Sequence, residues 1–283
     1  MPEFVLDALL DTLKLLPYLF ATYLVLEFIE HRAMDKAARL VAKAGRFGPC
    51  IGGLVGLLPQ CGFSAAASNL YADRLVTGGT LLAIFLSTSD EMLPILISEA
   101  VPVPVILKIM GVKLASGIVV GILYDLIRKA MRKQEPEVDL HAVCETAHCG
   151  CEGGILKSAI KHTLSIAAFI LVISLALNTL IHFIGEDKLR GLILNRPVIG
   201  PVISGLVGLI PNCAASVIIT ELYLEGAMTT GAMLAGLLAG SGVGLLVLFR
   251  VNRPIKDSLS ILAVLYAAGI VIGIMFDLFK IVI

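Results

Sequence analysis

Two short motifs, each a proline, an amide residue and a cysteine in a row, are the clearest candidates for chemistry in this sequence. They are Pro59-Gln60-Cys61 and Pro211-Asn212-Cys213, 152 residues apart, and each interrupts an apolar segment. The proline frees backbone carbonyl groups, the amide adds a further oxygen, and the thiol adds soft sulfur. At the centre of a membrane such a set suits a thiophilic metal or metalloid ion. We therefore predict that both motifs bind substrate.

Cysteine is also a common small packing residue, so a functional role needs a further reason. Cys61 and Cys213 occupy equivalent places in two similar segments, and this pairing favours function. Cys50, whose counterpart is Val202, is expected only to pack. Each motif is followed by further substrate-binding candidates, which are Ser64, Ser216, Asn69 and Glu221. Each serine comes three residues after its cysteine and would share its face if the following segment is helical.

Charged residues within apolar segments form a second group of candidates, because an acidic residue at mid-membrane costs on the order of 3 kcal/mol. Asp90, Glu91 and Lys113 lie in such segments, and their counterparts are uncharged: Gly242, Val243 and Leu265. Asp90 and Lys113 lie ~12–14 Å from the predicted external ends of their helices, at 1.5 Å per residue. We interpret them as a buried pair or a shared protonation site for ion coupling, although a purely structural pair fits the same pattern. Glu27, matched by the polar Asn178, is a further coupling candidate.

Metal-binding residue types cluster in one polar loop. They are His141, Cys144, His148, Cys149 and Cys151. In a reducing cytoplasmic loop this density indicates a soft-metal site for zinc, copper(I), cadmium or trivalent arsenic. Because the spacing matches no standard zinc finger, we predict a flexible loop that captures or senses metal.

Composition indicates an integral membrane protein. Of 283 residues, 58% are hydrophobic and 16% charged, and the mean hydropathy is +0.94, which means more apolar surface than a soluble core can bury. The net charge of zero argues against nucleic acid as a partner. The acidic N-terminus does not predict a cleaved secretory signal. The six cysteines are divided between apolar segments and one loop, so no secreted disulfide framework is expected.

An internal duplication organises the chain. The segment from Gly48 to Tyr71 recurs from Gly200 to Tyr223, and the offset of 152 residues continues to Asp125 and Asp277. An earlier stretch matches at an offset one residue shorter, so the repeat covers nearly the whole chain. Gly-x-x-x-Gly stripes recur late in each copy and are expected to let helices pack closely. The two aspartates follow these stripes, and we expect them to lie at the interface or to pair helices.

Charge distribution predicts the topology. Basic residues follow the first apolar segment, 13–29, and also follow residue 127, whereas the loop 99–104 has no Lys or Arg. The positive-inside rule places both basic stretches in the cytoplasm. This holds only if the segment 48–71 enters and leaves on one side as a re-entrant hairpin, since a single crossing would put the second basic stretch outside. Each arm reaches only ~16 Å into a core of ~30 Å, which fits such a hairpin.

We therefore predict an all-α polytopic membrane protein of two inverted-topology repeats. Each repeat has three spanning helices and a re-entrant helical hairpin broken at its Pro-x-Cys motif. Residues 1–130 form repeat 1, residues 131–154 a cytoplasmic Cys/His-rich linker and residues 155–283 repeat 2, with both termini external. Inverted repeats with discontinuous helices at the midplane are typical of secondary transporters. The alternative is a passive bundle with two proline-kinked helices.

Four stretches carry a family resemblance: LKLLPYLFATYLVLEFIEHR, GLLPQCGFS, GLIPNCAAS and CGCEGGILKSAIKHTL. Together with the two-half layout, they make the chain similar to the ten-segment heavy-metal exporter family, whose members are labelled arsenic efflux proteins or manganese transporters. The resemblance spans almost the whole sequence. Five segments per half, with hairpin arms counted separately, give the family's ten. The resemblance implies export of a metal or metalloid ion.

The predicted function is proton-coupled secondary export of a transition-metal or metalloid ion across the inner (cytoplasmic) membrane. The expected partners are the lipid bilayer and the ion substrate, with a homodimer allowed and no nucleic acid. Neither enzymatic activity nor a required cofactor is expected. The alternative is a membrane thiol–disulfide electron carrier that cycles a disulfide between Cys61 and Cys213. A passive channel is a third interpretation and would show no proton dependence.

Overall fold

The computed structural model describes Pro17, Phe20, Leu24, Ile160, Leu164 and residues 40–41, 44–58, 61–89, 91–131, 196–211 and 214–281. Within these ranges all regular structure is helical, which confirms the predicted all-α class for this part of the chain. Apart from these single positions, the first predicted span and its counterpart in the second copy lie outside the described residues, as does almost all of the linker.

Each copy contributes five described helices, and in the first copy a short 3-10 turn at Gly45–Phe47 precedes them. In the first copy these are α1 (Gly48–Gly56), α2 (Cys61–Ala72), α3 (Gly78–Ser87), α4 (Met92–Ser98) and α5 (Val103–Ala130). In the second copy they are α6 (Ile199–Gly208), α7 (Ala214–Leu224), α8 (Thr230–Ala239), α9 (Gly244–Val251) and α10 (Ile255–Leu278). The order of helices and breaks is therefore the same in both copies.

Four stretches are long and apolar enough to cross a membrane: Gly78–Ser98, Val103–Ala130, Thr230–Val251 and Ile255–Leu278. The second and fourth are the continuous helices α5 and α10, ~42 Å and ~36 Å long at 1.5 Å per residue. The other two each consist of consecutive shorter helices. Every residue of α3 and of α8 is buried, so these helices form the centre of the described bundle.

The stretch Gly78–Ser98 is long and apolar enough to cross the membrane but is not one continuous helix, because α3 ends at Ser87 and α4 begins at Met92. Thr88 leaves the helical backbone conformation, with ψ of 129°, and its hydroxyl donates back to the carbonyl oxygen of Ile84 at 2.7 Å. Pro94, near the start of α4, has no N–H to continue the helical bonding. Polar side chains and a proline together interrupt a segment that hydropathy alone reads as continuous.

The second copy breaks at the equivalent place with different residues. Between α8 and α9 the sequence is Gly-Ser-Gly-Val, and Gly242 has a φ of +53°. Glycine adopts this left-handed conformation without the steric cost of a β-carbon. The break is therefore a common feature of both copies, although its sequence signal differs.

Both Pro-x-Cys motifs interrupt their segments, as predicted. α1 ends at Gly56 and α2 begins at Cys61, while α6 ends at Gly208 and α7 begins at Ala214. The re-entrant course of these helix pairs stays a prediction.

Equivalent hydrogen bonds tie the long helix of each copy to its central helix. The Asp125 carboxylate accepts from the Thr77 hydroxyl at 2.6 Å and from the Gly79 N–H at 2.7 Å. The Asp277 carboxylate accepts the same two bonds from residues 229 and 231, at 2.8 and 2.9 Å. Each aspartate thus stabilises the N-terminus of a central helix, which confirms its predicted helix-pairing role.

The glycine stripes bring the same helices into backbone contact. A β-carbon on Gly117 of α5 would lie 2.7 Å from the carbonyl oxygen of Ala83 in α3. A β-carbon on Gly269 of α10 would lie 2.8 Å from the carbonyl oxygen of Ala235 in α8. Only glycine allows this separation, so the predicted packing role of the stripes is confirmed.

Candidate functional site

Each Pro-x-Cys motif is flanked by residues that lie against the helix break of its own copy. In the first copy, the Ser89 hydroxyl, within the break between α3 and α4, donates to the carbonyl oxygen of Leu57 at 3.3 Å. In the second copy, a β-carbon on Gly240, at the break between α8 and α9, would lie 3.7 Å from the carbonyl oxygen of Gly208. Two irregular segments are therefore neighbours in each copy.

The motif residues themselves are only partly described. Cys61 begins α2, and Pro211 is exposed. The others, Pro59, Gln60, Asn212 and Cys213, lie outside the described residues, and for Cys61 the description covers the backbone alone. Their roles as ligands stay predictions.

Ser64 lies where α2 of the first copy packs closely against α9 of the second. It is fully buried, and a β-carbon on Gly244 would lie 2.8 Å from its β-carbon and 2.9 Å from Cε1 of Phe85. One turn later, the Ser68 hydroxyl donates to the carbonyl oxygen of Gly244 at 2.8 Å. Glycine at the start of α9 therefore allows the two copies to meet without a gap.

The equivalent contact in the other direction joins α7 of the second copy to α4 of the first, over a shorter length. Ser216 is half-buried. The hydroxyl of Thr220, the counterpart of Ser68, donates to the carbonyl oxygen of Ser216 within α7 at 2.7 Å, whereas Ser68 donates to the other copy. Met92 occupies the position that Gly244 holds in the other copy. A side chain at this point prevents the close backbone approach that glycine permits.

Glu221 is a buried carboxyl group on α7. Its residue is 7% exposed, and its Oε1 has no hydrogen-bond partner among the described residues. Among the described residues, the charged groups that act on it are Glu99 and Glu225, both acidic. Its counterpart Asn69 is half-buried on α2. A carboxyl group at this position is therefore a feature of one copy, as the sequence indicates.

Lys113 links the two copies near a helix break. It is 1% exposed, and its Nζ donates to the carbonyl oxygen of Leu237 at 2.5 Å. Leu237 lies in the last turn of α8, where carbonyl groups lack intrahelical partners and favour a cation. Glu91 is buried at the N-cap of α4. Asp90 and Glu27 lie outside the described residues, so the Asp90–Lys113 pair stays a prediction.

The predicted metal-binding loop also lies outside the described residues, with His141, Cys144, His148, Cys149 and Cys151. Within the part of the chain that is described, no group of three or more His, Cys, Asp or Glu residues is arranged to hold a metal ion.

A polar cluster that the sequence analysis missed joins the copies far from Glu221. We call it the Asp257 cluster, and it comprises Tyr71, Arg74, Arg128, Asn252 and Asp257. The Asp257 carboxylate is 8% exposed and lies 2.8 Å from Nη2 of Arg128 and 3.6 Å from Nη1 of Arg74. It accepts hydrogen bonds from the Tyr71 hydroxyl at 2.5 Å and from Asn252 Nδ2 at 3.3 Å.

These two regions lie at opposite ends of the bundle, since Glu99 precedes α5 and Arg128 lies in its last turn, ~38 Å along the helix from its first residue. We call them the Glu221 end and the Asp257 end. The signal for the cluster in the sequence was an acidic residue in the first turn of an apolar span, where the other copy has Val105.

Comparison with known families agrees with this architecture. A family model described as "Putative, 10TM heavy-metal exporter" matches residues 3–184 and, a second time, residues 154–281. The chain belongs to this family. The resemblance predicted from the motifs is thereby confirmed, and the family description together with the apolar spans indicates a multi-pass membrane protein of the transporter class. No curated protein and no solved structure matches the chain.

Proposed function

We propose that this family member is a proton-coupled secondary transporter that exports a transition-metal or metalloid ion from the cytoplasm. The observation that carries the proposal is the contact, in each copy, between a Pro-x-Cys flank and the break of a neighbouring apolar span. Irregular backbone is tolerated at membrane depth only where it is buried in protein or lines a polar cavity. Clustered breaks of this kind are the usual binding sites of secondary transporters.

The proposed site lies at the membrane midplane, where the two Pro-x-Cys motifs meet. Each motif forms the tip of its re-entrant hairpin. Thiolates from Cys61 and Cys213 would bind the ion, and carbonyl groups freed by the prolines would complete its coordination together with Gln60 and Asn212. The polar residues of the following arms extend the site, namely Ser64, Ser216, Asn69 and Glu221. Because Glu221 is a buried acid whose Oε1 has no hydrogen-bond partner among the described residues, it is the natural source of negative charge for a cation.

The proposed topology is two inverted repeats with re-entrant hairpins at 48–71 and 200–223. The Asp257 end carries Arg74, Arg128 and Arg253, so the positive-inside rule assigns it to the cytoplasm. Single cysteines at residue 73 and in the loop 99–104, in a cysteine-free background, test this arrangement. An impermeant thiol reagent should label only the loop in intact cells. Labelling of residue 73 from outside would contradict the hairpin.

Ion coupling is assigned to Asp90, Glu91, Lys113 and Glu27. Lys113 supports this assignment because it is a buried cation that bonds the other copy next to a helix break. Buried ionisable residues of this kind commonly mark proton relays in transporters. The loop His and Cys residues are proposed to capture the ion before it reaches the site.

Transport by inside-out vesicles tests the proposal directly. The vesicles are incubated in medium that contains manganese, zinc, cadmium, arsenite or antimonite, under a pH gradient that an ionophore can collapse. We expect gradient-dependent uptake of one soft ion, abolished by Cys61→Ser or Cys213→Ser and retained by the control Cys50→Ser. Removing Cys144, Cys149 and Cys151 together should weaken uptake only at low ion concentration. A loop variant as inactive as the tip variants would contradict the proposed site.

The same vesicles test the electron-carrier alternative. That function requires a disulfide between Cys61 and Cys213 during the cycle and no net movement of ions. Thiol labelling that alternates with an electron donor, without uptake of any tested ion, would replace the transport proposal.

A further inference from the structure

The Asp257 cluster joins the two copies through charges that neither copy holds alone. Arg74 and Arg128 come from the first copy and Asp257 from the second. Arg74 also donates from Nη2 to the carbonyl oxygen of Arg253 at 3.1 Å, and Arg128 donates to the Tyr71 hydroxyl at 3.1 Å. Removing one partner would leave a buried carboxylate uncompensated. The cluster therefore favours the docked arrangement of the two copies at this end.

The backbone at Arg74 indicates that its side chain has a role. Arg74 has a φ of +63°, and its counterpart Gly226 has a φ of +70°. Both residues end a hairpin arm in the left-handed region, which a β-carbon disfavours and glycine tolerates. An arginine retained at such a position points to a use for the guanidinium group, and here that group lies against Asp257 and the ring of Tyr71.

The cluster is possible at one end of the bundle only. The counterparts of its members are Tyr223, Gly226, Lys280, Ala100 and Val105. Without an acid at position 105 and an arginine at position 226, the Glu221 end cannot form the same network. The duplication therefore produced two equivalent ends, and only at the Asp257 end do buried charged residues of this cluster hold the two copies together.

The cluster is mechanically connected to the motif region through two short helices. α2 runs from Cys61 at the motif to Tyr71 and Ala72 at the cluster, and α9 runs from Gly244 at the helix break to Val251, just before Asn252. At 1.5 Å per residue these helices span ~18 Å and ~12 Å. Because α2 and α9 pack directly on each other, separating them at the motif would also open the cluster.

We propose that the Asp257 cluster is a one-sided latch that closes the cytoplasmic entrance to the ion site and determines when the site can load. The latch deepens the proposed function and rests on it, because only a transporter with alternating access needs to open one end at a time. Separation of α2 from α9 breaks the contacts between Asp257 and the two arginines. Ion binding between the motif tips then biases the equilibrium between latched and unlatched states.

Hydrogen exchange of the purified full-length protein tests the latch, with Asp257→Asn as the stronger variant and Tyr71→Phe as the milder one. Tyr223→Phe and Lys280→Gln are matched controls at the equivalent positions of the other end. We expect exchange within residues 61–72 and 244–251 to rise about tenfold in Asp257→Asn, the size of a typical coupling between sites, and by a smaller factor in Tyr71→Phe. The controls and residues 214–224 should keep wild-type exchange. Asp257→Glu should restore most of the protection.

Four outcomes decide the proposal. Unchanged exchange in Tyr71→Phe and in a folded Asp257→Asn overturns the latch, and so does an increase spread evenly over α5 and α10, which indicates a general loss of stability. An increase in exchange confined to residues 61–72 and 244–251 supports the latch. Ion uptake by the same variants should then no longer depend on the side of the membrane from which the ion is supplied. A local increase in a protein whose wild type moves no tested ion would overturn the proposed function while supporting the contact as a conformational latch.

Discussion

The two ends of the bundle are built from equivalent helices but are closed in different ways. At the Asp257 end, Gly244 lets α9 approach α2, and a buried carboxylate is satisfied by tyrosine, asparagine and arginine. At the Glu221 end, Met92 stands in the place of that glycine, and a buried carboxyl oxygen has no hydrogen-bond partner among the described residues. The buried carboxylate is therefore paired at the Asp257 end, where Oδ1 of Asn252 lacks a hydrogen-bond partner among the described residues, whereas at the Glu221 end an oxygen of the carboxyl group itself lacks one.

This difference separates buried charged residues that stabilise the fold from buried charged residues that destabilise it. A buried charge with good partners can hold two elements together, whereas a buried polar group without a partner destabilises the fold. Asp257 is therefore best explained by closure of one end. For Glu221 we propose a role in transport, since packing alone would favour an apolar residue there.

The largest predicted effect on the free energy of unfolding concerns Asp90 and Lys113, which are charged in the first copy and have uncharged counterparts in the second. Asp90→Asn should leave the buried Lys113 without its predicted ion-pair partner and cost about 3–5 kcal/mol of unfolding free energy. The double change Asp90→Gly with Lys113→Leu copies the second half and should recover most of this stability, apart from about 1 kcal/mol for the lost bond to Leu237. Thermal unfolding of the purified variants measures both effects.

A transport assay in vesicles distinguishes a role of the Asp90–Lys113 pair in proton coupling from a purely structural role. If it carries the coupling proton, the folded double variant should be unable to use a pH gradient in vesicles. If it is only structural, transport should return with expression. Strictly additive destabilisation by the two single changes would contradict the pairing, and Glu91 would become the better partner.

The next effect tests the close approach at the Asp257 end. Gly244→Met makes this end resemble the other, and its side chain would meet Ser64 and Phe85 at less than contact distance. We expect a loss of about 1–3 kcal/mol from overpacking, together with separation of α2 from α9. Gly111→Met is the control, because a β-carbon on Gly111 meets nothing within 4 Å. Equal melting temperatures for the two variants would show that the contact is loose.

The smallest stability effect is predicted at Glu221. Glu221→Gln keeps the shape of the side chain but removes the buried acid, so stability should stay constant or rise by about 1 kcal/mol. Ion transport should nevertheless fall sharply. Glu225→Gln, at an exposed neighbouring position, is the control and should leave both properties unchanged. A Glu221→Gln variant that is destabilised but still transports would indicate a structural role.

The sequence by itself determined the membrane class, the duplication, the interruptions at both Pro-x-Cys motifs and the family. These are local or periodic properties: hydropathy is summed over short windows, proline acts on its own turn, and a repeat is visible as a fixed offset. The helix-pairing roles of Asp125 and Asp277 also followed from their position after the glycine stripes. The break at residues 88–91 was missed because apolar composition outweighed the signal from Thr88 and Pro94.

Only the tertiary structure decided which residues of one copy meet those of the other. Tyr71 and Asp257 are separated by 186 positions in the chain, and Lys113 bonds a backbone carbonyl of α8, which no pattern of side chains announces. The close contact at Gly244 likewise depends on how the copies dock. Such contacts are set by the packing of whole helices against each other, because a side chain acquires its partner only when two surfaces that are distant in sequence fit together.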